Sequence, residues 1–191
     1  MNVHRRRSAL ALPLALALVA GCGYNTIQTM DEKVNAAESQ IKVQLQRRAD
    51  LIPNLVETVK GYAKQEQTIF IQVADARAKL AGAVQSGDLQ QMAAANAALT
   101  APLGRLIAIA ENYPQLKSNE NFRALQDQLE GTENRIAVAR QDYNESVNAY
   151  NAYIRRFPQV LTAKVLGKKP RPYFELQTPG AAETPKVDFS R

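Results

Sequence analysis

From residue 119 to residue 157 one seam of side chains recurs at alternating spacings of three and four. It comprises Phe122, Leu125, Leu129, Thr132, Ile136, Ala139, Tyr143, Ser146 or Val147, Tyr150, Ile154 and Phe157. That spacing holds the seam on one face of a helix about ten turns long. Its mean period, about 3.5 residues, keeps the seam turned toward partner helices only if they wind around one another left-handedly. The ends are marked as well. Ser118 or Asn119 can cap the first turn, Glu120 sits where the helix dipole favours an acid, and Pro158 cannot continue the helix. A chain carrying so long an amphipathic helix has to bury it against other helices.

The partners are legible upstream. Ile27, Met30, Val34, Ala37, Ile41, Gln44 or Leu45, Arg48, Ile52, Leu55, Val59 and Tyr62 form a second seam. It runs on through Glu66, Ile69, Val73, Ala76 and Leu80, with Pro53 as an interruption. A proline inside a helix costs roughly 3 kcal/mol or more, whereas in the first turn no donor is missed. With Asp50 as N-cap, the pattern predicts one helix over 26–50 and another over 51–83. The alternative is a single long kinked helix. Ser86-Gly87-Asp88 is a turn, and Asp88 with Gln91 has the spacing of a capping box. Leu89, Met92, Asn96, Leu99, Leu103, Leu106, Ala110 and Tyr113 make a third seam, with a kink expected at Pro102 and an end at Tyr113-Pro114.

Trp is absent, Ala and Gln are abundant and β-branched runs are few, so strands are not expected. Short connections between long amphipathic helices imply antiparallel neighbours. The expected fold is all-α, an up-and-down antiparallel four-helix bundle with long helices. If the first two helices are fused, it becomes a three-helix bundle. Gln44, Arg48, Glu66, Asn96 and Thr132 fall on seam positions and read as polar contacts that fix register. A buried ligand or ion site is the alternative. Tyr143-Asn144 and Tyr150-Asn151 repeat one heptad apart.

The first 22 residues have a different grammar. Residues 1–7 are basic, residues 8–20 form an apolar run of 13, and Val19-Ala20-Gly21-Cys22 resembles a bacterial lipobox. A spanning helix needs about 20 apolar residues, so this run is short for one, and Pro13 weakens it further. Cys22 is the only cysteine. A lone thiol is an odd export to an oxidising compartment, and attachment to lipid accounts for it. Gly23, in place of the Asp seen in retained lipoproteins, resembles the pattern of outer-membrane sorting. The alternative is an uncleaved anchor in the inner membrane. Both readings place the chain on a membrane, facing the periplasm. The expected organisation is a lipoprotein-type signal over 1–21, a helical bundle with a C-terminal extension over 22–177, and a flexible tail over 178–191.

Downstream of Phe157, Val160, Leu161, Lys164 and Val165 read as a short amphipathic helix closed by Gly167, followed by an extended stretch over 168–174. In a four-helix bundle of this kind the fourth helix ends where the first begins. Lys164, Lys168, Lys169 and Arg171 would then form a basic cluster near the membrane, each worth about 1 kcal/mol at an anionic surface. An ordinary solvated charge cluster is the alternative.

The sequence excludes much chemistry. Its one histidine, His4, lies in the signal, and Cys22 is committed to lipid. The mature domain therefore has no imidazole or free thiol for a triad, a zinc site or a di-iron site. No glycine-rich phosphate loop is present. The formal charge of +6 falls to +3 once Arg5, Arg6 and Arg7 are removed, too little to argue for nucleic acid. A carboxylate pair such as Glu133 with Asp142 is the remaining catalytic option, and ion pairs with Arg135, Arg140 or Arg47 compete for it. The reading is a chain that is not an enzyme and takes no cofactor.

Three motifs carry a family resemblance. Gln44-Leu45-Gln46-Arg47-Arg48-Ala49-Asp50-Leu51-Ile52-Pro53-Asn54-Leu55-Val56-Glu57-Thr58-Val59-Lys60-Gly61-Tyr62 resembles the signature of the LemA family. So do Gly131-Thr132-Glu133-Asn134-Arg135-Ile136-Ala137-Val138-Ala139-Arg140-Gln141-Asp142-Tyr143-Asn144 and Lys169-Pro170-Arg171-Pro172-Tyr173-Phe174. The resemblance implies a membrane-attached, extracytoplasmic helical bundle without established biochemical activity, acting in company with other membrane proteins. It singles out Arg47, Arg48, Asp50, Asn54, Thr132, Glu133, Asn134, Arg135, Arg140, Asp142, Tyr143 and Asn144 as motif polar residues. The expected role is an interaction or scaffold module for an envelope protein. A bundle that binds or remodels the membrane surface is the alternative.

Overall fold

The computed structural model describes residues 23–174, so the signal, Cys22 and the 178–191 tail lie outside the described residues. Six helices and no strand occur among the described residues. They are α1 Tyr24–Lys60, α2 Gln67–Ser86, α3 Leu89–Glu111, α4 Pro114–Lys117, α5 Glu120–Ile154 and α6 Gln159–Val165. All the regular structure among the described residues is helical, as the periodicity requires.

Burial follows the seams. On α5, Phe122, Leu129, Thr132, Ile136, Ala139, Tyr143, Val147, Tyr150 and Ile154 are buried, with Val147 rather than Ser146 filling its position. Asn119 is the cap, its Oδ1 accepting from Phe122 N–H at 3.1 Å. Phe157, expected on the seam, is 81% exposed. The helix stops at Ile154, and a turn closed by Arg156 N–H on Tyr153 O at 3.2 Å sends the chain elsewhere.

The expected break near Asp50 is absent, because α1 runs through Pro53. Proline removes the donor that would serve the carbonyl four residues back, which here is Ala49. Arg77 on α2 replaces it, donating from Nε to Ala49 O at 3.1 Å. Asp50 does not cap a helix; its carboxylate accepts from Gln46 Nε2 at 2.8 Å. The break falls at 61–66 instead, where Tyr62 and Ala63 N–H both turn back onto Val59 O. This leaves Tyr62 half exposed rather than on the seam. Lys60 Nζ, 5.8 Å from the centre of the Phe70 ring, pins the two sides of the turn. Neither expected pair of boundaries, 26–50 with 51–83 or one fused helix, is therefore adopted.

The next turn is as expected. Gly87 takes φ +72°, and Asp88 Oδ1 accepts from Gln90 and Gln91 N–H at 2.8 and 3.1 Å. Helix α3 passes through Pro102 without a break. It is long and apolar enough to cross a membrane. Of its large apolar residues, Met92, Leu99, Leu103 and Leu106 are buried in the protein and Leu89, Ile107 and Ile109 are half-buried. Pro114 opens α4 rather than merely ending α3.

The chain forms two compact units, each drawing on both long helices. One contains residues 23–40 and 139–173, the other residues 41–138 and 174. In the second, Asn119, the cap of α5, reaches Tyr62 just past the end of α1 (3.3 Å), and Glu133 on α5 meets Arg48 on α1. Moving forward on one helix is moving back on the other, so they are antiparallel there. Helices α2 and α3 pack as a hairpin in the same unit.

Candidate functional site

Two polar clusters stand out, one in each unit. In the second unit Arg48 is buried on α1. Its Nη1 donates to Asn96 Oδ1 on α3 at 2.8 Å and pairs with Glu133 Oε2 on α5. The Arg48 side chain is 5% exposed and that of Glu133 is 49% exposed, so one end of the pair is in protein and the other in water. Burial pulls the guanidinium below its ordinary pKa, and the Glu133 charge offsets part of that. Thr132 turns its hydroxyl to Leu129 O at 2.7 Å and needs no partner across the core. Arg48 thus links three helices through one charged group. Glu133 pairs with this seam arginine, which the sequence reading did not weigh as its partner, and Asp142, nine residues on along α5, falls on the opposite face of the helix.

In the first unit, residues 168–173 form a strap. Gly167, at φ +65°, ends α6, with Lys168 N–H reaching Ala163 O and Gly167 N–H reaching Lys164 O. This is the left-handed cap that reverses a chain at a helix end. Asn151 on α5 then holds the strap by both faces of one amide. Its Nδ2 donates to Arg171 O at 2.9 Å, and its Oδ1 accepts from Arg171 N–H at 2.8 Å. Tyr143 Oη donates to Pro172 O at 2.9 Å. The charges follow. Asp31 on α1, itself buried, takes Lys168 Nζ at 2.6 Å and Arg171 Nη2 at 2.9 Å, and Arg171 also donates to Asn35 at 2.8 Å.

Burial pushes the Asp31 carboxyl up, but the hydrogen bonds from Lys168 and Arg171 outweigh it and leave the group below its usual value. The hydrogen bond to Asp31 raises both cations, against their own burial. Burial, with the charge of Glu38, pushes the Tyr143 phenol up to about 12. It stays protonated and can donate to Pro172.

These contacts redistribute the expected basic cluster. Lys168 and Arg171 are spent on Asp31, while Lys164 and Lys169 are exposed. Among the motif residues, Arg47, Asp50, Asn54, Asn134, Arg135 and Asp142 are exposed, and Arg140 and Asn144 are half-buried. Asp31, Asn35 and Asn151 were not singled out by sequence. The Tyr-Asn repeat one heptad apart is the signal that points to Asn151, since Tyr143 and Tyr150 are both buried seam residues.

The start of the described chain belongs to the same unit. Gly23 has φ +118°, and a Cβ there would stand 3.2 Å from both Gln159 Cγ and Tyr153 Oη. Its carbonyl accepts from Ile27 N–H at 2.8 Å. Glycine is thus demanded by backbone and space, a reason independent of any sorting signal.

Comparison with known proteins gives a consistent picture. The model of the LemA family matches residues 37–189. Magnetosome protein MamQ 2 of Paramagnetospirillum magneticum is 31% identical over 189 residues, covering 86% of this chain and 68% of that protein. Magnetosome protein MamQ of Magnetospirillum gryphiswaldense is 29% identical over 187 residues, with the same coverage.

Proposed function

The chain belongs to the LemA family, and from that membership we propose that it is a non-catalytic, membrane-anchored helical module that binds or positions another protein of the cell envelope. The supporting observation is where the motif polar residues are used. Arg48 and Glu133 join three helices, Thr132 closes on its own helix, and Tyr143 holds the strap that Arg171 anchors to Asp31. These groups build the fold. Arg47, Asp50, Asn54, Asn134, Arg135 and Asp142 are motif residues left at the surface, where polar side chains serve recognition.

In this reading Cys22 carries the lipid, an N-terminal helix being the alternative anchor. The domain faces the periplasm, with the outer membrane favoured over the inner. The four long helical segments form an up-and-down bundle, supported by the antiparallel contacts of α1 with α5 and the α2–α3 hairpin. From the magnetosome relatives we take only the helical module. The test is a photo-crosslinking amino acid placed in the full-length chain at Asn54, Asn134 or Asp142 and activated in intact cells. One envelope protein captured in near-stoichiometric amount from at least one position is expected. Adducts with lipid alone would favour the membrane-remodelling alternative, and no adduct at any position would overturn the recognition role.

A further inference from the structure

Helix α6 presents part of its apolar surface outward. Thr162 and Ala163 face the protein and are buried, while Leu161 and Val165 are 47% and 87% exposed. Phe157, four residues before Leu161, is 81% exposed. Leu161 and Val165 are one turn apart on one face. Burying this face would have stabilised the fold, so presenting it to the outside needs another apolar phase or a partner to cover it.

We propose that Phe157, Leu161 and Val165 dock into the interface of an anionic lipid bilayer, fixing how the domain sits on the membrane. Two observations choose lipid over a protein. The first is continuity with the preceding chain. Gly23 is seated against Gln159 of α6 and Tyr153, 3.2 Å from each by the position its Cβ would take. One residue earlier stands Cys22, and before it the apolar run of residues 8–20. Whether that segment leaves the domain as a lipid-bearing cysteine or as a helix, it delivers the membrane to α6.

The second observation is charge. Residues 155–174 contain six basic residues and no acid. Lys168 and Arg171 are taken by Asp31. Arg155, Arg156, Lys164 and Lys169 are exposed, before, within and after the stretch that carries the apolar residues. Apolar side chains accompanied by basic ones are the composition of helices that lie in the plane of an anionic interface. Each basic residue near such a surface strengthens binding about fivefold. The strap positions the device, because Lys168 and Arg171 tie the end of α6 to α1.

The proposal rests on membrane attachment through the N-terminal segment, and the experiment separates the two. Full-length protein is reconstituted into phosphatidylethanolamine vesicles containing phosphatidylglycerol. Leu161→Cys and Val165→Cys carry an environment-sensitive fluorophore, with Gln72→Cys, exposed on α2, as the control. The chain without an added cysteine supplies the background from Cys22. Expected is severalfold protection from aqueous quencher at 161 and 165 but not at 72, largely lost when Arg155, Arg156, Lys164 and Lys169 are all changed to Gln. Protein that floats with the vesicles but keeps 161 and 165 as accessible as 72 overturns the docking while leaving the anchor intact. Protein that does not float at all removes the anchor and the docking with it. Protection that grows with protein concentration and ignores vesicles would assign the face to a second copy and overturn the lipid reading.

Discussion

Arg48 shows how a single charged residue can be both a liability and a fastener. Its guanidinium is buried, yet its carboxylate partner Glu133 is half in water. Removing the partner of a buried charge costs about 3–5 kcal/mol when both are buried, and solvent at Glu133 brings the expected loss for Glu133→Gln to about 2–3 kcal/mol. Arg48→Met takes the charge away and leaves Asn96 Oδ1 short of a donor, a loss of about 1–3 kcal/mol. The double variant should lose less than the sum, by roughly 1–2 kcal/mol, since Glu133 has nothing left to neutralise. Urea melts of the four proteins measure this. Strictly additive losses would mean that the two side chains are not coupled.

At the scale of the element, α1 owes its continuity to a residue of another helix. The Ala49 carbonyl, deprived of its donor by Pro53, takes one from Arg77. Arg77→Met should therefore cost about 1–3 kcal/mol through an unpaired carbonyl. Pro53→Ala returns the backbone N–H and should itself stabilise, because alanine is the better helix former. In that background Arg77→Met should lose most of its effect. Equal losses in both backgrounds would show that Arg77 acts by some other contact. The turn at 61–66 and the outward face of α6 belong to the same scale. At the turn, backbone bonds onto Val59 O end the helix locally, whereas the pairing of Lys168 and Arg171 with distant Asp31 holds α6 in its orientation.

For the whole molecule, pH dependence reads the strap. Asp31 titrates below its ordinary 3.8 when folded, so on acidification the unfolded chain takes up its proton first. Stability is complete above that value and falls as the pH drops through it toward the folded pKa. At the alkaline end the folded Tyr143 and Lys168 keep their protons beyond 10.0 and 10.5, the values of the free groups. Stability then falls as pH rises above about 10. Denaturant midpoints should be highest between these limits. Asp31→Asn should be less stable at neutral pH and should flatten the acid limb, and Tyr143→Phe should flatten the alkaline one. An acid limb of unchanged slope in Asp31→Asn would show that the strap's ion pairs are not its source.

The sequence by itself determined that the chain is helical, which faces of its long helices are buried, and that caps fall at Asp88 and at Ser118 or Asn119, the structure choosing Asn119. Those properties depend on neighbours within one turn, so a period of three and four residues carries them. Part of the candidate clusters was legible as seam or motif positions, as with Arg48, Thr132 and Tyr143, while Asp31, Asn35 and Asn151 were not singled out. The partners were not legible either. Arg48 finds Glu133 85 residues away, Ala49 finds Arg77 28 residues away, and Asp31 finds Lys168 and Arg171 137 and 140 residues away. Phe157 continued the period by spacing alone, yet the backbone had already left the helix. A buried polar group must be matched by whatever the fold brings beside it, and only the tertiary structure decides which side chain that is.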